Sequence, residues 1–424
     1  MSTPVGTGTA DPGIRGIIEG SQVLPGRRTA LLNEPAGTPP MNAPAPSLAP
    51  DWAALRREFP TLERWTYLDA ARKTPLARCA ERAMQEYTRD IYEDAGAEAW
   101  NSANVGRTRT LLAQLLGCTP TSLAFTKNTA EGLAIAAHAF ELRAGDNILL
   151  TDMEHVVNLW VWKHYEAKGV EIRKVESRDG RMPIEAYLEK IDARTRLIST
   201  AYVTYANGWR IDVDALAEEC RKRDIRLVLD GVQGAGMLAR RIDSLGADFV
   251  AIGAHKSLQG LTGTGVVWCR DELVNEIRTE FVRSPQIMKG ADIGQFDYVV
   301  EQHRFEAGNP NFLGLWVLRR SAEWLLSIGL PAIEGRVRDL TESLLDRVER
   351  AGIRTQTSRD WNRRCHIVNL VVPDALALQK QLRERNIVVN VKDDKLRASV
   401  SFYNEEADLD VLMDALAELG ATAR

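Results

Sequence analysis

The stretch 251-AIGAHKSLQGLTGTG-265 sets His255 beside Lys256 between glycines, in a chain with only six histidines. A lysine on a surface loop faces water, whereas one held against apolar strands becomes a nucleophile and a base. Three upstream segments bear on which case applies. In 226-RLVLDGVQGAG-236 an apolar run ends at Asp230 and glycines follow at once, so this carboxylate either caps the next helix or faces a ligand. The segment 127-KNTAEGLAIAAHAF-140 opens a helix around Thr129 and Ala130 with no basic residue in its first turn. Exposed N–H groups and the helix dipole there suit a phosphate, though the same residues suit an ordinary capped helix. Finally, 152-DMEHVVNLW-160 places His155 just past another apolar run, where a lone histidine is more often packing than chemistry.

Taken singly, each feature has a structural explanation. In chain order they form a phosphate cradle, a ring that can stack, a carboxylate and a lysine, the set that pyridoxal phosphate (PLP) chemistry requires. A carboxylate such as Asp230 keeps the cofactor's ring nitrogen protonated, so the ring accepts electrons when a bond at a substrate α-carbon breaks. A lysine such as Lys256 condenses with the cofactor aldehyde, is displaced by substrate, and then acts as a nearby base.

The elements that must position these residues are an alternation of strands and helices. Apolar runs at 147-NILLT-151, 170-VEIRKVE-176, 196-RLISTAYVT-204, 226-RLVLD-230, 248-DFVAIG-253 and 265-GVVWC-269 predict strands, with amphipathic helical patterns between several of them. Such alternation predicts an α/β fold with a mostly parallel sheet, helices on both faces, and a ligand beyond the carboxyl ends of the strands. Upstream, 51-DWAALRREF-59 has helical spacing behind an aspartate cap and 65-WTYLDAA-71 reads as a strand entering a loop. After about residue 315 a long helical pattern leads into 365-CHIVNLVV-372, a helix near 374–385, 386-NIVVNV-391, 397-RASVSF-402 and a closing helix. The expected organisation is a disordered leader over 1–48, a large α/β domain with an N-terminal arm over 49–315, and a small α+β domain over 316–424. The leader is rich in Pro, Gly, Ala and Thr and lacks apolar periodicity, and Met41 is an alternative start within it.

Composition narrows the partners. A net charge of −4 with Lys and Arg spread along the chain gives no nucleic-acid or anionic-membrane footprint, so a small-molecule substrate is expected. Five scattered cysteines fit neither a disulfide framework nor a metal site. No apolar run approaches the roughly 20 residues of a membrane span and no signal-peptide pattern is present, so a cytoplasmic location is expected.

From 67-YLDAA-71 to 397-RASVSFYNEEADLD-410 the sequence resembles the class V, or cysteine-desulfurase-like, branch of fold-type I PLP enzymes, which includes isopenicillin N epimerases. The segments 230-DGVQGAG-236, 255-HKSLQGLTGTG-265 and 304-RFEAGNPN-311 carry most of that likeness. The resemblance implies that Thr129 and Ala130 hold the cofactor phosphate, His155 stacks on the ring, Asp230 pairs with the pyridine nitrogen and Gln233 meets the phenolic oxygen. It implies further that His255 binds phosphate beside Lys256, that Asn309 approaches the phosphate from a second subunit of a homodimer, and that Arg397 clamps the substrate α-carboxylate.

The sequence also departs from that pattern. Desulfurases carry a nucleophilic cysteine shortly before the arginine strand, and 386-NIVVNVKDDKLRAS-399 contains none. Where a short polar residue normally faces the phenolic oxygen, Tyr205 stands; its phenol either donates the same hydrogen bond or packs on the sheet. Gly253-Ala254 replaces the usual Ser-Gly, which removes one phosphate contact. In 70-AARKTPLAR-78, Arg72 and Lys73 replace small residues at the pocket border, which favours an acidic substrate unless both side chains face solvent. Trp160, Trp162 and Trp209 either line a roomy pocket or, for most of them, pack in the core.

The reaction expected first is that of a C–S β-lyase on a cysteine S-conjugate, because thiolate departure needs no protein cysteine. Epimerisation, with Tyr205 as second acid, is the alternative; transamination or decarboxylation follows. A non-catalytic scaffold is disfavoured by the joint presence of Asp230, His155, Lys256 and Arg397. The leader and the atypical pocket point to an enzyme of specialised metabolism.

Overall fold

The structure is a computed structural model that describes residues 49–273 and 305–421. The expectations for the 1–48 leader and for Met41 lie outside the described residues. Strand β1 (Thr66–Tyr67) is followed by β2 (Leu123–Thr126), β3 (Asn147–Thr151), β4 (Glu171–Val175), β5 (Thr195–Ala201), β6 (Arg226–Asp230), β7 (Phe249–Gly253) and β8 (Gly265–Cys269). Strands β2 to β8 form one seven-stranded sheet in the order β2-β8-β7-β6-β5-β3-β4. Only β8 runs against the rest. The chain moves outward from β3 to β4 and then returns to β5 on the other side of β3. The strand order therefore reverses there, where open α/β sheets leave a crevice.

Continuous apolar runs make strands that are buried on both faces. Alternate residues feed two cores: Leu149, Ile198, Leu229, Val250 and Val266 on one face, and Ile148, Leu197, Val228, Ala251 and Val267 on the other. The helix Thr129–Ala139 packs on the second face, where Gly132 permits close approach; a Cβ there would lie 2.6 Å from Val267 Cγ1.

Three expected strands, at 147–151, 226–230 and 265–269, coincide with β3, β6 and β8. The short strand β2, and the helices Arg78–Glu93 and Ser102–Leu116, were not singled out from sequence. The long pattern after 315 is two helices, Phe312–Ile328 and Leu330–Arg350, parted by Gly329 at φ 87°. Residue 315 lies inside the first of these, which packs on Arg78–Glu93 and Ser102–Leu116. The described residues all fall in one compact unit.

Four later strands complete the fold: β9 (Ile367–Leu370), β10 (Ile387–Val388), β11 (Asn390–Lys392) and β12 (Lys395–Ser399). β11, β12 and β9 form an antiparallel sheet, and β10 pairs in parallel with β1. That pairing carries the segment after β1 to the ends of the large sheet. It is clipped there by Thr74 Oγ1 donating to Lys256 O (2.9 Å) and Ala71 N donating to Ser399 Oγ (2.9 Å).

Candidate active site

A cavity of about 260 Å³ lies at the carboxyl ends of β5, β6 and β7. Its lining includes Thr129, Ala130, His155, Tyr205, Asp230, Gln233, His255, Lys256, Arg397 and Arg72, drawn from segments more than 300 residues apart in the chain. Four strands of the large sheet deliver residues at or just past their ends: β3 is followed by His155, β5 by Tyr205, β6 finishes at Asp230, and β7 is followed by His255 and Lys256.

Lys256 is half-buried, and desolvation of its ammonium pushes it down to about 8 against an upward pull from Asp230. Asp230 is 7% exposed; burial raises its carboxyl, while the Val232 N–H (3.0 Å to Oδ1) and the charge of Lys256 counteract that rise. The pair thus couples an amine that titrates near neutrality to a carboxylate held out of water, a combination concentrated at catalytic sites.

At another corner, the Asn128 side chain caps the Thr129–Ala139 helix by accepting from Glu131 N (2.9 Å). The first N–H groups of a helix have no intrahelical acceptor, so capping Glu131 leaves those of Thr129 and Ala130 to the cavity. The segment is thus an ordinary capped helix whose first N–H groups border the cavity. His255 sits beside it, held down to about 4 by burial, with Lys256 and Lys73 adding to the effect. It is neutral at pH 7 and retains one ring N–H to donate. Gly253 is explained by crowding, since a Cβ at this position would lie 2.9 Å from Thr129 Oγ1 and 3.1 Å from the His255 ring.

On the remaining side, Arg397 donates from Nη2 to Asp69 Oδ1 (3.0 Å) and from Nη1 to Tyr205 O (2.6 Å). Its Nε is buried without a partner. The His155 and Tyr205 rings meet edge to face with centroids 5.2 Å apart. Burial, followed by the charges of Lys256, Lys392 and Arg397, lowers His155, and burial raises Tyr205. At neutral pH the imidazole is an uncharged face and the phenol keeps its proton.

Two expected residues are not brought into the cavity. Lys73 is exposed and does not line it, because Thr74 is tied to Lys256 O and the preceding side chain is left on the solvent side, near His255. Asn309 is exposed and is not among the lining residues of this chain. Trp162 and Trp209 are buried in the core and Trp160 is exposed; none lines the cavity.

Lys392 does line the cavity and was missed. The sequence held the signal in 390-NVKDDKLR-397. Asp393 and Asp394 both take positive φ (48° and 57°), as a two-residue hairpin turn requires. The resulting register pairs Asn390 with Arg397 and Lys392 with Lys395, so strand alternation sets Lys392 on the face of Arg397. All five cysteines fall among the described residues and none lines the cavity.

The family model described as Aminotransferase class-V matches residues 66–412. A probable cysteine desulfurase of Methanothermobacter thermautotrophicus is 28% identical over 68% of this chain and 74% of its own length. The solved apo structure of a cysteine desulfurase from Thermococcus onnurineus NA1 superposes with TM-score 0.79 at 22% identity, covering 88% of this chain and 99% of that one. The cystine C–S lyase C-DES, in complex with its product cysteine persulfide, matches with TM-score 0.79 at 20% identity over 85% of this chain and 99% of its own. A second C-DES structure holds glycine covalently linked to its PLP cofactor.

The residues present fit that cofactor. The Gln233 amide donates Nε2 to Ala71 O (2.9 Å), while its Oε1 is buried beside the cavity with no partner, and the same is true of Arg397 Nε. Of the buried side-chain atoms without a partner among the described residues, these two belong to side chains that line the cavity, where a ligand group would give them partners. With the lysine, the buried carboxylate and the helix start gathered in one cavity, the chain belongs to the class-V aminotransferase family and is a PLP-dependent enzyme of the fold-type I architecture.

Proposed function

We propose that this enzyme is a C–S β-lyase that cleaves the Cβ–S bond of a cysteine S-conjugate. The observation that carries the reading is the absence of any cysteine from the cavity lining, together with Lys392 on the hairpin that precedes Arg397. Cys79 is pushed up to about 11, and Cys118, Cys220 and Cys365 to about 12, chiefly by burial. Thiols so shifted are poor nucleophiles at neutral pH. The likeness to C-DES adds a fold on which such cleavage occurs, and the curated desulfurase relatives define the competing outcome.

Bound PLP supplies an aldehyde for amines and a ring that takes up the electrons released at the substrate α-carbon. Thr129, Ala130 and His255 would hold its phosphate, His155 would face the ring, Asp230 would keep the pyridine nitrogen protonated, and Gln233 with Tyr205 would meet the phenolic oxygen. Arg397 receives the α-carboxylate through the donors not used on Asp69 and Tyr205. Lys256 takes the α-proton, the Cβ–S bond breaks, and the sulfur leaves with its electron pair as a thiolate. One water then completes conversion of the remaining fragment to pyruvate and ammonium. In a homodimer, the segment around Asn309 completes the phosphate site of the other subunit.

The test is a product balance with pure enzyme and cysteine conjugates, expecting thiol, pyruvate and ammonia in equal amounts. A second reading, epimerisation, draws on Tyr205 as a protonated phenol in the cavity beside His155. Loss of optical activity without pyruvate would establish it in place of the lyase.

A further inference from the structure

We infer that the cavity selects an amino acid whose side chain carries a second anionic group, received by Arg72 and Lys392. This deepens the proposed function and rests on its reading of the cavity as an α-amino-acid site. The lining holds Arg72, Lys256, Lys392 and Arg397 against one carboxylate, Asp230. Lys256 and Asp230 are coupled to each other, and Arg397 is neutralised by Asp69 at 3.0 Å. Two cations remain. Among the described residues no carboxylate lies within ion-pairing distance of Arg72 or Lys392, although Asp393 follows Lys392 directly. Arg72 is exposed and Lys392 half-buried, so an anionic group of the ligand would meet two cations without an ion-pair partner at the mouth of the cavity, with water screening part of the attraction.

Position separates these cations from the phosphate corner. Lys392 Nζ lies 5.6 Å from the centroid of the Tyr205 ring, and the main-chain oxygen of the same Tyr205 holds Arg397. The charge of Arg72 is felt at Tyr67, Asp69 and Arg397, and that of Lys392 at His155 and Lys256. His255 feels Lys73 instead of either. Arg72 and Lys392 therefore border the substrate end. Arg72 also lines an adjoining open groove of about 530 Å³ whose charged residues are Lys380 and Arg383 together with Asp69 and Glu384, so the cationic excess there is small and the anion site is placed at Arg72 and Lys392 themselves.

The experiment titrates the holoenzyme with S-carboxymethyl-L-cysteine and with S-carbamoylmethyl-L-cysteine, which match in shape and differ in charge. Binding is read from the cofactor's visible absorption, independently of turnover. Wild type is expected to bind the acid on the order of 10-fold more tightly than the amide. Arg72→Ala and Lys392→Ala are each expected to lose much of that preference while leaving the amide within about 2-fold, and Arg72→Lys to keep part of it. Equal wild-type affinities, or variants that weaken both ligands alike, would overturn the inference. Failure of either ligand to perturb the cofactor spectrum would instead remove the amino-acid reading on which it rests.

Discussion

Asp69 Oδ1 lies 3.0 Å from Arg397 Nη2, and each of these side chains is only 2% exposed. Asp69 also accepts from Asn390 Nδ2 at 3.0 Å, so the carboxylate joins the segment after β1 to both strands of the β11–β12 hairpin. Removing it strands a buried guanidinium. Asp69→Ala is expected to cost about 3 kcal/mol of stability and to weaken binding of α-amino acids, because Arg397 is no longer held across the cavity. Denaturant unfolding and spectral titration would measure the two effects, and unchanged affinity in a folded variant would show that Arg397 positions itself.

Cofactor loading should depend on pH through Lys256. Its folded value, about 8, lies below the ordinary lysine value because of burial, so the reactive neutral amine accumulates as pH rises through about 8. The rate of PLP uptake by apo-enzyme, followed by absorbance, is expected to be half-maximal there. Asp230 raises Lys256, so Asp230→Asn should move the midpoint lower. A midpoint near the ordinary lysine value, or an upward move in the variant, would contradict this picture.

Asp230→Ala should still bind PLP, since the residues proposed to hold its phosphate, Thr129, Ala130 and His255, are untouched. Turnover should fall by on the order of 10²-fold or more, because the ring nitrogen loses the carboxylate that keeps it protonated. Steady-state kinetics on cofactor-saturated enzyme would decide the matter, with wild-type turnover counting against the role given to Asp230.

Lys256, Asp230 and His155 were legible in the sequence because each ends or follows an apolar run buried on both faces, and such runs end at the ligand side of a parallel sheet. Residues 70–78 have no such period, and nothing in them separates Arg72 from Lys73; the tie of Thr74 to Lys256 O does so only in the fold. Lys392 was hidden by reading 386–391 as one strand and leaving the turn at Asp393 and Asp394 unrecognised. The Asp69–Arg397 pair joins positions 328 residues apart, and no local pattern announces a contact of that range.

The most direct test of the lyase reading concerns the missing thiol. In a desulfurase a protein thiolate takes the substrate sulfur and forms a persulfide, whereas in the proposed elimination the sulfur leaves as a thiolate and protein cysteines are spectators. A variant with Cys79, Cys118, Cys220, Cys269 and Cys365 replaced by alanine or serine, its fold verified by circular dichroism and cofactor absorbance, should be assayed with a cysteine S-conjugate. Formation of thiol, pyruvate and ammonia at near wild-type rates is the predicted result. Turnover lost through one cysteine alone, with a persulfide detected by mass spectrometry on that residue in the wild type, would contradict the lyase reading and make the enzyme a desulfurase.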